Sequence, residues 1–269
     1  MSAGSIAIPT MRLRSIDSGG GSASARPGGE RLLWIFVPLL ALAAASTPRS
    51  APLDGESKRP PRTGTIEGRV TYEGEPPPST PVAERGAEQP VLYLDSTGGV
   101  RYVVIDLPDA RAVGRQPSSV ATVDQRQFTF EPQVLAVRSS QAVRFTNHDA
   151  ANHNVRTRHS DPRNTFSVNT AMHAEHVHRF VATSPDHPVE LSCDIHAWMV
   201  GWVYVFDHDQ FAVTDERGRF RIDGVAAGHQ RLAVRQPAAG LLRDLAVDVT
   251  PSQTAYVDVR FSRRDLVQE

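Results

Sequence analysis

From residue 64 onward the apolar positions alternate along the chain instead of recurring every third or fourth residue. The stretch GTIEGRVTYEG (64–74) sets Ile66, Val70 and Tyr72 on one face between glycines, the period of a half-buried strand. The EPPPSTP that follows breaks any regular element. In PVLYLDSTGGVRYVVIDLP, Val91, Tyr93 and the run 100–107 flank the turn Ser96-Thr97-Gly98-Gly99, which predicts a hairpin. Short apolar runs then fall at 120–123, 134–137, 142–146, 174–182, 189–193 and 199–206. With turn residues between them and no helical period, they predict an antiparallel sandwich. Beyond 211 the pattern renews itself. FAVTDERGRFRIDGVAAGHQRLAVRQ turns at Asp215-Glu216-Arg217-Gly218 with Phe220 and Ile222 inward, and LLRDLAVDVTPSQTAYVDVRF adds two more strands. The expected architecture is all-β: a sandwich domain over 64–207 with an N-terminal β extension, then a small sandwich over 208–262.

The first 63 residues follow neither pattern. Arg12, Arg14, Arg26 and Arg31 precede the apolar run LLWIFVPLLALAAAS (32–46), in which Ala43 and Ala45 fit a small-residue cleavage site. That run is short for a membrane span of roughly 20 residues, and Pro38 interrupts it. Residues 1–46 are therefore expected to be a signal peptide, with an uncleaved N-terminal membrane anchor as the alternative. Either places the remainder in the periplasm or otherwise outside the cytoplasm. Residues 47–63, rich in proline, serine and charge, are expected to be a flexible linker.

Charge then removes one class of partner. Lys and Arg together number 29 and Asp and Glu 30, so no basic field suggests nucleic acid. The ten histidines are more informative, because none precedes His148 and eight fall between His148 and His196. The same region holds the only cysteine, Cys193. An exported chain normally pairs its cysteines, so a lone one is inert and buried, joined to another chain, or bound to something. Its neighbours favour the last. In LSCDIHAWMVGWVYV (191–205), His196 and Met199 follow Cys193 at three-residue steps in a short loop between two strands. Thiolate, imidazole and thioether form a soft donor set suited to copper, and a second imidazole completes a His₂Cys site with a weak Met. TNHDAANHNVRT offers His148 and His153. His153 is favoured because Asn154 follows it, where an amide can bridge the two ligand loops in support of the ligands. His148 reads as a turn residue.

These segments resemble the cupredoxin family. FTFEPQVLAVRSSQAVRFTNHDAANHNV followed by CDIHAWM has the early His-Asn and the late Cys-x-x-His-x-x-Met of small blue-copper proteins of the plastocyanin and amicyanin type. The chain is also similar to exported methylamine-utilisation-like proteins, in a G-x-V-x-Y-x-G-x-P strand (68–76), a strand at 103–107 and Phe130-Glu131-Pro132. The resemblance covers roughly residues 65–207 and implies a Greek-key sandwich. It also implies one mononuclear copper ion held by His153, Cys193, His196 and Met199, and one-electron exchange with another redox protein. Departures are Ser139-Ser140-Gln141 in place of a usual glycine, and VNTAMHAEHVH (168–178) in place of a glycine-rich turn. TDERGRFRIDGVAAG resembles the carboxypeptidase-regulatory-like, or transthyretin-like, β-sandwich, which implies a scaffold without chemistry.

Enzymatic activity is not expected, since no paired carboxylates or activated nucleophile can be read, nor the histidine pairs of a second copper cluster. Two other classes remain open. A copper delivery or storage protein would use the same ligands, and a metal-free binding scaffold would use none. His173, His176 and His178 could form a second metal site, although a polar strand edge explains them as well. Trp198 and Trp202 read as packing residues, and Ala197 with Trp198 as an apolar rim beside His196.

Overall fold

The computed structural model describes residues 62–266, apart from 83, 85, 115 and 116. The leader or anchor expected over 1–46 and nearly all of the linker expected over 47–63 lie outside them. No helix among the described residues is long and apolar enough to cross a membrane. In chain order the strands are β1 (Thr63–Glu73), β2 (Thr80–Val82), β3 (Ala87–Gln89), β4 (Val104–Asp106), β5 (Val120–Arg126), β6 (Thr129–Glu131), β7 (Val134–Arg138), β8 (Ala142–Asn147) and β9 (His153–Arg158). They continue as β10 (Ser167–Thr170), β11 (Glu175–Arg179), β12 (Val189–Ser192), β13 (Val200–Phe206), β14 (Phe211–Val213), β15 (Arg219–Ala226), β16 (Gly228–Gln236), β17 (Leu241–Val249) and β18 (Thr254–Ser262).

Strands β5 to β13 make one sandwich, with sheets ordered β10-β9-β12-β13-β7 and β11-β8-β5-β6. Its core gathers Val123, Phe130, Val143, Phe145, Val155, Phe180, Val189, Leu191, Val203 and Val205, and Cys193 and Met199 belong to it. Full burial of each large aliphatic or aromatic side chain contributes roughly 1.5–3 kcal/mol. The continuous apolar run of β13 has a structural cause: both of its faces are covered. Val203 and Val205 face this core, while Tyr204 and Phe206 pack with Tyr102, Val104 and Val134 in a second cluster. That cluster is the seam against the other sandwich, which Arg235 of β16 also joins by pairing with Asp186 at 3.1 Å.

The second sandwich is assembled differently from the expectation. Its sheets are β15-β1-β18 and β14-β4-β16-β17. The segment expected to extend the sandwich of 64–207 pairs instead with strands from the C-terminal section. β1 lies between β15 and β18, antiparallel to one and parallel to the other, and β4 lies between β14 and β16. Ile66, Val70, Val103 and Ile105 therefore share one core with Phe220, Ile222, Leu232, Val234, Val259 and Phe261. The physical reason is size. A unit of about 55 residues is marginal on its own, and the borrowed strands supply an interior member to each of its sheets. Close approach fixes β1 in place: a Cβ at Gly68 would lie 2.0 Å from the Val257 carbonyl oxygen and 2.7 Å from the Phe220 ring.

The hairpin expected around 96–99 is reduced to its turn. Asp95 accepts from the backbone N–H of Thr97 at 2.7 Å and of Gly99 at 2.8 Å, an Asx turn. Only the isolated bridge Leu94–Val100 flanks it, because the apolar run beyond is drawn off into β4.

Candidate metal centre

Three neighbouring strands of the five-stranded sheet bring the site together. β9 opens at His153, β12 closes at Ser192 and β13 opens at Val200. Antiparallel pairing of Ser192 with Arg156 and with Val200 puts these three ends at one edge of the sheet. The loop 193–199 is closed by its own backbone: Cys193 N–H donates to the Met199 carbonyl at 3.2 Å and Met199 N–H to the His196 carbonyl at 3.0 Å. Cys193 and Met199 are thereby fixed at the two feet of the loop with His196 at its turn.

All four sequence-predicted residues lie out of water, and His153, Cys193 and His196 come together. His153 and Met199 are 0 % exposed, Cys193 3 % and His196 8 %. His153 Nδ1 lies 2.9 Å from His196 Nδ1, and Cys193 Sγ lies 3.7 Å from the same His196 nitrogen. One donor atom from each of His153, Cys193 and His196 falls within 4.8 Å of the others, the one such group of three among the described residues. Met199 packs in the same apolar cluster as Cys193.

Electrostatics prepare these donors. Burial alone would push the Cys193 thiol up. The hydrogen bond with His153 and the backbone N–H groups of Asn154, Ile195 and His196 outweigh it and bring the thiol down to about 6. Burial alone would likewise push His153 down, but its hydrogen bonds to Cys193 and Asp149, and their negative charges, leave it raised. The protein thus favours a thiolate facing an imidazolium: sulfur is in the state that metal ligation needs, and a bound ion would displace the proton from His153 Nδ1.

The supports of the site are partly the expected ones. Asn154 joins the two loops in both directions: Asp194 N–H donates to its Oδ1 at 2.6 Å, and its Nδ2 donates to Asp194 Oδ2 at 2.8 Å. Two supports carry no sequence signal. Asp149 Oδ2 accepts from His153 Nε2 at 2.9 Å, which leaves Nδ1 as the nitrogen facing Cys193 and His196. Phe128 sets its ring edge-on to both imidazoles, with centroids 5.5 Å from His153 and 5.2 Å from His196. An acid four residues before a histidine, in a loop, belongs to no period that could announce it, and Phe128 lies in a turn of another sheet.

The remaining histidines stay apart. His148 leaves β8 half-exposed and pairs through Nδ1 with Asp124 at 2.7 Å, in keeping with a turn residue. His176 and His178 lie against the Phe166 ring at 4.8 and 4.7 Å, and His178 Nε2 donates to the Arg163 carbonyl at 3.0 Å. They pack on an aromatic surface, and the second metal site weighed for them gains no third donor. Trp198 tilts over His196 at 5.4 Å between ring centroids, and Trp202 packs at the seam between the sandwiches.

The sequence matches no protein-family model and no curated protein. Among solved structures, a purple cupredoxin from Nitrosopumilus maritimus aligns at 19 % identity, over 32 % of this chain and 99 % of its own, with a TM-score of 0.28. Amicyanin from Paracoccus versutus aligns at 16 % identity, over 38 % of this chain and 97 % of its own, with a TM-score of 0.29. A copper-containing nitrite reductase from Thermus scotoductus aligns at 20 % identity over 37 % of this chain and 26 % of its own, with a TM-score of 0.30. Scores this low carry no weight for function, and what this all-β chain does must be argued from its buried His-Cys-His cluster and the adjoining Met199.

Proposed function

We propose that this chain is an exported type 1 copper protein that carries single electrons. His153, Cys193 and His196 would hold one copper ion, and Met199 would add a weak thioether donor. The observation that supports this best is the convergence of a thiolate and two imidazole Nδ1 atoms, all within 4.8 Å, in a pocket closed to water. The residues fit copper by their chemistry, since thiolate and thioether are soft donors that hard ions such as calcium or magnesium do not favour. Bound copper supplies a one-electron couple between Cu(I) and Cu(II).

The chain's own residues do the rest. The Asn154–Asp194 pair ties the two loops together without help from an ion, so the donors stay in place when the ion's charge changes. The apolar shell of Phe128, Met199 and the core keeps water from the sulfur. His196 is the donor nearest the surface, flanked by exposed Ala197 and by Ile195, which is 56 % exposed. That rim is the proposed exit for the electron, toward a second redox protein. Export by the N-terminal leader, with the membrane anchor as the other form of attachment, belongs to the same proposal.

Voltammetry of the copper-loaded protein, followed by challenge with an excess of a Cu(II) chelator, tests it. A reversible one-electron response with copper retained through the challenge supports an electron carrier. Copper lost within the mixing time points to delivery or storage, and no uptake at all to a metal-free scaffold.

A further inference from the structure

The turn joining β5 to β6 is built in a way that its sequence does not favour. Gln127 and Phe128 both have positive φ, +52° and +58°, a left-handed conformation that costs roughly 1–2 kcal/mol per residue outside glycine. Two-residue hairpins of this shape ordinarily take Asn-Gly or Asp-Gly. Here the conformation is held from outside. The carboxylate of Asp149 accepts from Gln127 N–H through Oδ1 at 2.6 Å and from Phe128 N–H through Oδ2 at 2.8 Å. The same Oδ2 accepts from His153 Nε2 at 2.9 Å. Asp149 is itself held, since its own N–H donates to the buried Asn147 Oδ1 at 2.9 Å, and its side chain is only 10 % exposed. One buried carboxylate thus fixes the orientation of one imidazole and the turn whose phenyl ring covers both.

We propose that Asp149 is a positioning residue for the metal centre, resting on the copper reading above: it presents His153 Nδ1 to the ion, clamps Phe128 over both imidazoles, and lowers the reduction potential with its charge. The direction of the last effect follows from electrostatics. A fixed negative charge one imidazole away from the ion stabilises the oxidised, more positive state over the reduced one, and burial limits its screening. A purely structural clamp would do the first two without the third, and asparagine separates them. Its amide oxygen can still accept from the turn. With that oxygen in the Oδ2 place, Phe128 N–H and His153 Nε2–H keep their acceptor, the NH₂ group faces the Gln127 N–H, and no charge remains.

The full chain, Asp149→Asn and Asp149→Glu are compared, first metal-free by nitrogen-15 NMR and then copper-loaded by voltammetry and Cu(II) competition. In the parent, His153 Nε2 carries its proton and the Gln127 and Phe128 amides are protected from exchange. In Asp149→Asn the protection of the Gln127 amide falls, that of Phe128 largely stays, and Cu(II) affinity drops about 10–100-fold, the usual effect of weakening such a ligand partner. The Cu(II)/Cu(I) balance moves roughly tenfold toward Cu(I), a rise of about 59 mV for one electron. Asp149→Glu, which keeps the charge, returns most of the shift in potential. An unchanged potential in Asp149→Asn, or an equal rise in both variants, overturns the charge effect. The parent's metal-free spectrum needs no variant to fold: His153 with an unprotonated Nε2 overturns the positioning. A parent that takes up no copper defeats the metal centre and the potential claim together, and the metal-free spectra then decide the Asp149–His153 tie alone.

Discussion

Replacing Cys193 with serine is expected to abolish the intense visible band that thiolate ligation gives to bound Cu(II), and to weaken copper binding by at least about a hundredfold. The size of the effect follows from what the substitution removes. Cys193 is the only sulfur donor able to ionise, and hydrogen bonds with His153 and three backbone N–H groups bring its thiol down to about 6. A serine hydroxyl does not ionise near neutral pH, so it offers a poor donor and leaves those N–H groups facing a neutral oxygen. Fold and stability change little, because serine is smaller and the loop 193–199 is closed by backbone hydrogen bonds that the substitution leaves alone. Visible absorption and copper retention after desalting check this, with far-ultraviolet circular dichroism as the control for folding. A serine variant that keeps the band and the metal would mean that the thiol is not a ligand.

Gly68→Val is expected to cost about 3 kcal/mol or more of stability. Overpacking a well-filled interior costs about 1–3 kcal/mol where side chains can move. Here the nearest atom is backbone, the Val257 carbonyl oxygen 2.0 Å from the position a Cβ would take. That oxygen belongs to the parallel β1–β18 ladder, so relief requires the two strands to part. Gly114→Ala is the matched control, with nothing within 4 Å of its Cβ. Urea unfolding curves measure both. A Gly68→Val midpoint equal to that of the control would mean that β1 does not lie between β15 and β18. Because the clash falls in the sandwich without the metal cluster, the copper band should persist in the folded variant.

That prediction depends on strand partners no local pattern could reveal. Alternation marked 64–74 as a strand, because Ile66, Val70 and Tyr72 carry a period of two, and the apolar run at 100–107 marked the stretch that holds β4. It could not show what they pair with, since the register of β1 on β15 joins residues more than 150 positions apart, such as Ile66 with Ile222. Strand β9 was missed for the opposite reason. Its inward residues are His153, Val155 and Thr157, and two polar side chains out of three erase the apolar period. The proposed ligand set was legible where chemistry is local: Cys193, His196 and Met199 share one loop, and His153 was marked by the asparagine after it. Asp149 and Phe128 were not legible, because they act through a carboxylate that links two sheets.

The central claim is that these four side chains form one copper site. Titrating the purified parent chain with Cu(II) while recording its visible spectrum tests it most directly. An intense thiolate-to-copper band is expected to rise linearly, saturate at about one equivalent, bleach on reduction and return on reoxidation. A spectrum showing only the weak absorption of free or surface-bound Cu(II), with the Cys193 thiol still open to alkylation after one equivalent, would contradict it.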